Sequence, residues 1–389
     1  MRLCMPSYWP FKAGLGLSAW VILLWCMTLP QSLVIADEKA YYEQALALAE
    51  GGMYTETPLA AAWPGYIPKH YPMGTALWLA PGIGIGGPQG AFGVILLAWL
   101  GSWLLLRRSM GRLWQAEAAA LCVLAFPPAI VISRHLMSEI PSLLMLSLWV
   151  VACLRLWEKP AALPAFAAGF CAGLVVLFRE ANLLLVLPWL VVFGLRNRVT
   201  GFMALSGFAL ALCVRLFTAW WAYGDPFYLK APGVGFSILN VPANLPLYLL
   251  GLLVFLPGGL WVAWRYKGPW QGSWRLGLGL YLGLHLTYGY AGNHDHWAEG
   301  LVLGLRYLIP TLPLFACAYA HYLSSSAPLL RWSRHWALAG IVGLLIAFGY
   351  GLDHQLGKQQ LALRSQLIDQ GRPICEKPAW YEYCSRFYD

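Results

Sequence analysis

Residues 13–52 read AGLGLSAWVILLWCMTLPQSLVI followed directly by ADEKAYYEQALALAEGG, an uncharged apolar run from Ala13 to Ile35 and then a segment crowded with ionisable and phenolic side chains. The first part is long enough to cross a bilayer as an α-helix, which takes about 20 residues for roughly 30 Å of hydrocarbon. The second part cannot enter that hydrocarbon. It places Asp37-Glu38 and Tyr41-Tyr42 just outside the membrane, and Lys69-His70 and Tyr71-Pro72 follow at the end of the same loop. Ionisable groups gathered at one face of an otherwise oil-like protein mark a functional face.

The apolar pattern recurs along the chain. Of 389 residues, 59% are hydrophobic and only 11% charged, and the mean hydropathy is +0.59, whereas an average soluble domain is about 25% charged. This composition excludes a soluble enzyme and predicts an all-α polytopic membrane protein, since the alternation expected of barrel strands is missing. About eleven spans are expected: Ala13 to Ile35, Pro88 to Leu106, Leu113 to Ile132, Ser138 to Trp157, Ala161 to Phe178, Asn182 to Leu195, Gly201 to Tyr223, Leu245 to Trp264, Leu276 to Ala291, Tyr307 to Leu323 and Trp336 to Leu352. Met73 to Ile85 is apolar but short and rich in Gly and Pro, which predicts an interfacial or re-entrant helix. Glu38 to Glu50 sets Tyr41, Ala45 and Leu48 on one face, and predicts an amphipathic helix on the membrane surface that ends at Gly51-Gly52.

The net charge of +9 does not indicate nucleic acid, because the basic residues fall in short clusters on alternate loops. Arg107-Arg108-Arg112, Lys159, Arg196-Arg198, Arg265-Lys267-Arg275 and Arg331-Arg334 read as cytoplasmic topology signals, together with Arg2 and Lys12. The N-terminus is then cytoplasmic and nearly all the carboxylates are exoplasmic. One transmembrane domain, 1–352, is expected, with a first exoplasmic loop at 36–87 and a short exoplasmic tail at 353–389. Cys375 and Cys384 in that tail are free to form a disulfide in an oxidising compartment, or to remain two thiols.

Few residues can carry chemistry. Asp37 reads either as the N-cap of the surface helix, with Glu38 favouring its dipole, or as a general base, since partial desolvation strengthens a carboxylate's hold on a proton. Arg134, Arg179 and Arg306 stand at predicted outer ends of spans. Each alone is an interface anchor; together, with Lys69-His70, they suit a phosphate, which guanidinium groups bind in bidentate fashion. Arg215 lies deep in its span and must pair with a carboxylate or a ligand phosphate, because an unpaired charge there costs on the order of 2.5–3.5 kcal/mol. Glu139 is a partner within reach of either set. His294-Asp295-His296 alternates metal-ligating side chains, so a divalent metal is one reading of it and a solvated loop the plainer one.

Taken in order, these pieces resemble the membrane glycosyltransferases of the glycosyltransferase-C fold, specifically glycosyltransferase family 39, which includes protein O-mannosyltransferases and lipid A aminoarabinose transferases. The likeness rests on Asp37-Glu38 with Tyr41-Tyr42 and Ala45, on His70 to Gly74, on Ser133 to Glu139, on Phe178-Arg179-Glu180, on Tyr223 to Pro226 and on Gly304 to Pro310. It implies transfer of a sugar from a polyprenyl-phosphate donor to an exoplasmic acceptor (a glycan, lipid or protein), with inversion, in a bacterial inner membrane. Asp37 would be the base, with Glu38 beside it. Arg306, Arg179, Arg134, Lys69 and His70 would hold the donor phosphate, supported by Glu139, Arg215 and Tyr307. The rival reading is a transporter or flippase of a lipid-linked sugar, which calls for polar groups near the bilayer midplane and pseudo-symmetric halves.

Overall fold

Backbone polar groups in lipid must be satisfied within the chain, and helices meet that demand locally. The computed structural model describes residues 9–30, 33, 36–51, 71–110, 114–196, 198–228, 235–289, 300–301, 303–323 and 334–349. Among them the regular structure is helical, apart from one isolated antiparallel bridge between Phe236 and Tyr288. Four helices are long and apolar enough to cross a membrane: Met73–Ser109, Glu139–Glu158, Arg198–Tyr223 and Ile238–Phe255. Shorter apolar helices are Lys12–Met27, Ala162–Phe178, Glu180–Leu195 and Arg334–Gly349. Leu97, Phe202, Leu253 and Leu345 are all more than 60% exposed on the outside of the bundle, the exterior that lipid requires.

Several expected spans are broken, each for a local reason. Leu113 to Ile132 divides into Trp114–Leu124 and Pro127–Ile132, because Pro127 and Pro128 have no N–H to continue the ladder. Leu245 to Trp264 divides into Val241–Phe255 and Gly259–Arg265 around Pro257 and Gly258, whose φ of 67° is left-handed. Tyr307 to Leu323 starts as a 3-10 helix, Gly304–Thr311, before the α-helix Leu312–Leu323. The first helix, Trp9–Met27, stops well before Ile35.

Met73–Ser109 bends back on itself at Gly86 and Gly87. A Cβ on Gly82 would lie 2.5 Å from the Gly90 carbonyl oxygen, and Trp78 Nε1 donates to the Val94 carbonyl at 3.1 Å. The segment expected to be interfacial or re-entrant is thus a separate arm folded against the start of the next helix.

Ala36–Ala49 departs from the expected surface helix. It buries Glu38, Glu43 and Gln44 as well as Tyr41 and Ala45, so more than its apolar face is covered, and it starts one residue before the expected N-cap. Gly51, at φ 75°, ends it as read from the sequence.

Ala162–Phe178 and Arg198–Tyr223 touch backbone to backbone. A Cβ on Gly169 would sit 1.8 Å from the Ala204 carbonyl oxygen, and one on Gly207 would sit 2.2 Å from that of Phe166. Small residues at such crossings let dispersion act between helices where no hydrophobic force does. Gly169→Ala is expected to destabilise the protein by about 1–3 kcal/mol through overpacking. Gly279→Ala, inside Gln271–Leu286 with open space around it, should leave the unfolding midpoint in detergent unchanged or raise it slightly, and equal midpoints for the two variants would refute this packing.

Candidate active site

At one end of the bundle, helix termini and turns enclose a cavity of about 320 Å³. Its ionisable lining comprises Asp37, Glu139, Arg179, Glu180, His285 and Arg306, each at a helix end or in a 3-10 turn.

Asp37 lies in the first turn of Ala36–Ala49, where the helix dipole favours a carboxylate. The Tyr71 hydroxyl donates to its Oδ1. Tyr71 is held in turn through its carbonyl, which accepts from Gln44 Nε2 at 2.9 Å and from the Tyr223 hydroxyl at 2.7 Å. Its ring packs on Tyr41 with centroids 4.4 Å apart. Burial, and then the Asp37 charge, raise the Tyr71 hydroxyl's pKa far above the usual phenol range. Burial and then Glu139 do the same for Tyr41. Both phenols therefore remain protonated.

Glu38 is turned elsewhere, because adjacent helical residues point about 100° apart. It is fully buried, accepts from the Leu136 N–H at 2.8 Å and lies 3.2 Å from His135 Nδ1. It anchors the turn that leads into Glu139 and is not among the cavity-lining residues.

Glu139 opens the helix Glu139–Glu158. Its Oε1 lies 2.8 Å from Arg179 Nη1 and 3.3 Å from Arg306 Nε. Arg179 follows the last turn of Ala162–Phe178 in extended conformation. The turn after it is tied by Asn182 Nδ2, which donates to the Val175 carbonyl and to Ser142 Oγ, both at 3.2 Å. Gly74 permits this approach, since a Cβ there would come within 2.6 Å of the Leu177 carbonyl oxygen. Arg306 sits in the buried 3-10 helix, steadied by Tyr281, whose hydroxyl donates to the Tyr307 carbonyl at 2.9 Å. The Tyr307 ring has the guanidinium carbons of Arg179 and Arg306 at 5.1 Å and 5.0 Å from its centroid, within cation–π range.

The other cations have different duties. Arg134 is buried against the end of the first helix, donating to the Thr28 carbonyl and, at 3.5 Å, to that of Leu24. It shares the Leu24 carbonyl with the Thr28 N–H, which donates to it at 2.9 Å, and does not line the cavity. Arg215 pairs with Glu180 at 2.9 Å, rather than with Glu139, and donates to the Pro226 and Tyr228 carbonyls at 3.3 Å and 2.7 Å. Lys69, His70, His294, Asp295, His296, Cys375 and Cys384 lie outside the described residues. Among the described residues no three His, Cys, Asp or Glu side chains converge as metal ligands.

Sequence reading missed His285, Tyr288 and Glu180 as cavity residues. His285 had a signal: an imidazole inside an apolar run, which is the mark of an intramembrane functional group. Its ring lies 5.1 Å from that of Tyr307. Tyr288 is brought in by the bridge to Phe236, where Ser237 N–H donates to the Thr287 carbonyl at 2.7 Å.

No protein-family model and no curated protein matches the sequence. Solved structures do match in fold. The crystal structure of ArnT from Cupriavidus metallidurans bound to undecaprenyl phosphate aligns with a TM-score of 0.62 at 13% identity, over 96% of this chain and 84% of that one. The apo-state structure of the same protein aligns with a TM-score of 0.56 at 16% identity, over 82% of this chain and 61% of that one. The chain has the glycosyltransferase-C fold. Within the glycosyltransferase-C fold seen here, Arg134 is a structural residue. Arg134→Gln should cost about 1.5–3 kcal/mol, the worth of a hydrogen bond to a charged group, seen as a lower unfolding midpoint. Undecaprenyl phosphate binding by the folded fraction should be unchanged, and a binding loss without destabilisation would return Arg134 to the site.

Proposed function

We propose that this protein transfers a sugar, a hexose or pentose, from a polyprenyl-phosphate donor to a hydroxyl acceptor at the exoplasmic membrane face. The observation that carries this reading is that Asp37 and the Arg179–Arg306 pair open on one cavity. The similarity in fold to a protein crystallised with undecaprenyl phosphate supports a lipid phosphate as the anion.

In the proposed step the acceptor oxygen attacks the anomeric carbon from the face opposite the phosphate. Asp37, oriented by Tyr71, takes the hydroxyl proton as the new carbon–oxygen bond forms. The bond from the anomeric carbon to the phosphate oxygen breaks, its electron pair passes to the phosphate, and Arg179 and Arg306 stabilise the charge that builds there. A single displacement inverts the anomeric centre. The prenyl chain would lie along apolar helix faces while its phosphate stays at the interface. The active site and C-terminus would face the exoplasm, with the N-terminus in the cytoplasm of a bacterial inner membrane. A flippase reading is less well supported, since the described ionisable groups of the cavity gather at helix ends and the deep Arg215 is matched by Glu180.

The test uses purified protein with radiolabelled polyprenyl-phosphate sugars and a membrane extract as the source of acceptor. Asp37→Asn should abolish transfer, by about 10²–10⁴-fold as for loss of a general base, while donor binding persists. Arg306→Ala should weaken donor binding. Turnover by Asp37→Asn at the wild-type rate would remove Asp37 from the mechanism.

A further inference from the structure

Both arginines that face the cavity are bound to one carboxylate, and that carboxylate is only half used. Glu139 Oε1 serves Arg179 and Arg306, whereas its Oε2 is buried with no hydrogen-bond partner, on a side chain 2% exposed. The start of its helix has no side-chain cap, and its first i to i−4 bond runs from the Ser142 N–H to the Ser138 carbonyl at 3.0 Å. What the carboxylate changes is charge: with Glu139 the Arg179–Arg306 pair keeps a single positive charge to meet a ligand, in a cavity that also holds the carboxylate of Asp37, the proposed base.

This matters because the two lipid phosphates of the proposed reaction differ in charge. The sugar-bearing donor is a phosphodiester with one negative charge. The product is a monoester, whose second ionisation near pH 6 gives it about −1.5 to −2 at neutral pH. We infer that Glu139 matches the arginine pair to the singly charged diester and disfavours the monoester, so that the spent lipid phosphate is released. It is a positioning residue that acts through Arg179 and Arg306 and touches no reacting atom. The leaving phosphate acquires part of the second charge at the transition state, so Glu139 slows chemistry somewhat while it speeds release. This inference rests on the cavity's being a lipid-phosphate site.

The experiment measures binding of undecaprenyl phosphate and of its methyl diester to the full-length protein in nanodiscs at pH 8. Wild type should bind the monoester no more tightly than the diester, although the monoester carries more charge. Glu139→Gln keeps the shape and an acceptor oxygen for Arg179, and it should bind the monoester about tenfold tighter, as expected for removing a nearby unit charge under partial screening, with the diester, at about half the charge, gaining only about threefold. A merely structural role would shift both ligands together. In the transfer assay the same variant should turn over faster in a single round and slower in repeated rounds.

A wild-type protein that already prefers the monoester tenfold overturns the inference without recourse to any variant. Equal shifts for both ligands in Glu139→Gln overturn it as well, and leave the phosphate reading standing. If Arg179→Gln and Arg306→Ala bind both ligands as wild type does, the phosphate reading fails and this inference falls with it.

Discussion

One carboxylate oxygen shared by two guanidinium groups joins three parts of the chain that are far apart in sequence. Glu139 brings the start of one helix, Arg179 the end of another, and Arg306 a 3-10 turn. Buried charges are costly to desolvate, and such a cluster persists only with close geometry and mutual compensation. Each member therefore constrains the others, and the aromatic groups fill in around them. Tyr307 lies within cation–π distance of both guanidinium groups, and the tilted ring of His285 packs beside it. The site is held by groups on helix ends and packed turns, so its geometry is set by the bundle.

The same residue type meets three fates at this end of the molecule, and the partners decide which. Arg134 is spent on carbonyls at the end of the first helix. Arg215 is balanced by Glu180. Arg179 and Arg306 share the one carboxylate of Glu139 between two cations and line the cavity, so the pair keeps positive charge in excess of its partner there. In a low dielectric such an excess acts strongly on a nearby anion, which is why the cavity, and not any single arginine, is suited to phosphate.

Much of the fold was legible because lipid imposes a length and a composition on each span. The helix Glu139–Glu158 lies within one residue of its expected ends, and the arm at Met73 was separated from the next helix by its glycines. The broken spans were harder to see. Pro127-Pro128 and Pro257-Gly258 interrupt runs whose hydropathy alone is continuous, so an average over the window hides the break. Pairing was illegible for a similar reason. Arg134-His135 and Arg179-Glu180 look alike in sequence, and only the arrival of the Thr28 and Glu139 segments in space distinguishes them. Asp37 and Glu38 differ by one position and hence by about 100° around the helix, enough to send one into the cavity and the other to the Leu136 N–H.

Holding Asp37 in place requires a further link, from the loop to the bundle. Tyr71 ends a long segment, yet its carbonyl accepts from Gln44 on the same helix as Asp37 and from Tyr223 at the end of Arg198–Tyr223. The hydroxyl that orients the carboxylate is thus positioned through backbone atoms by two separate helices. Arg198–Tyr223 is itself locked to Ala162–Phe178 through Gly169 and Gly207, and Ala162–Phe178 ends at Arg179. The small-residue crossing consequently bears on both sides of the cavity, on the acid through Tyr223 and Tyr71, and on the cation through Arg179. A change of volume at that crossing would move acid and cation relative to each other, since a close-packed interior transmits displacement rather than absorbing it.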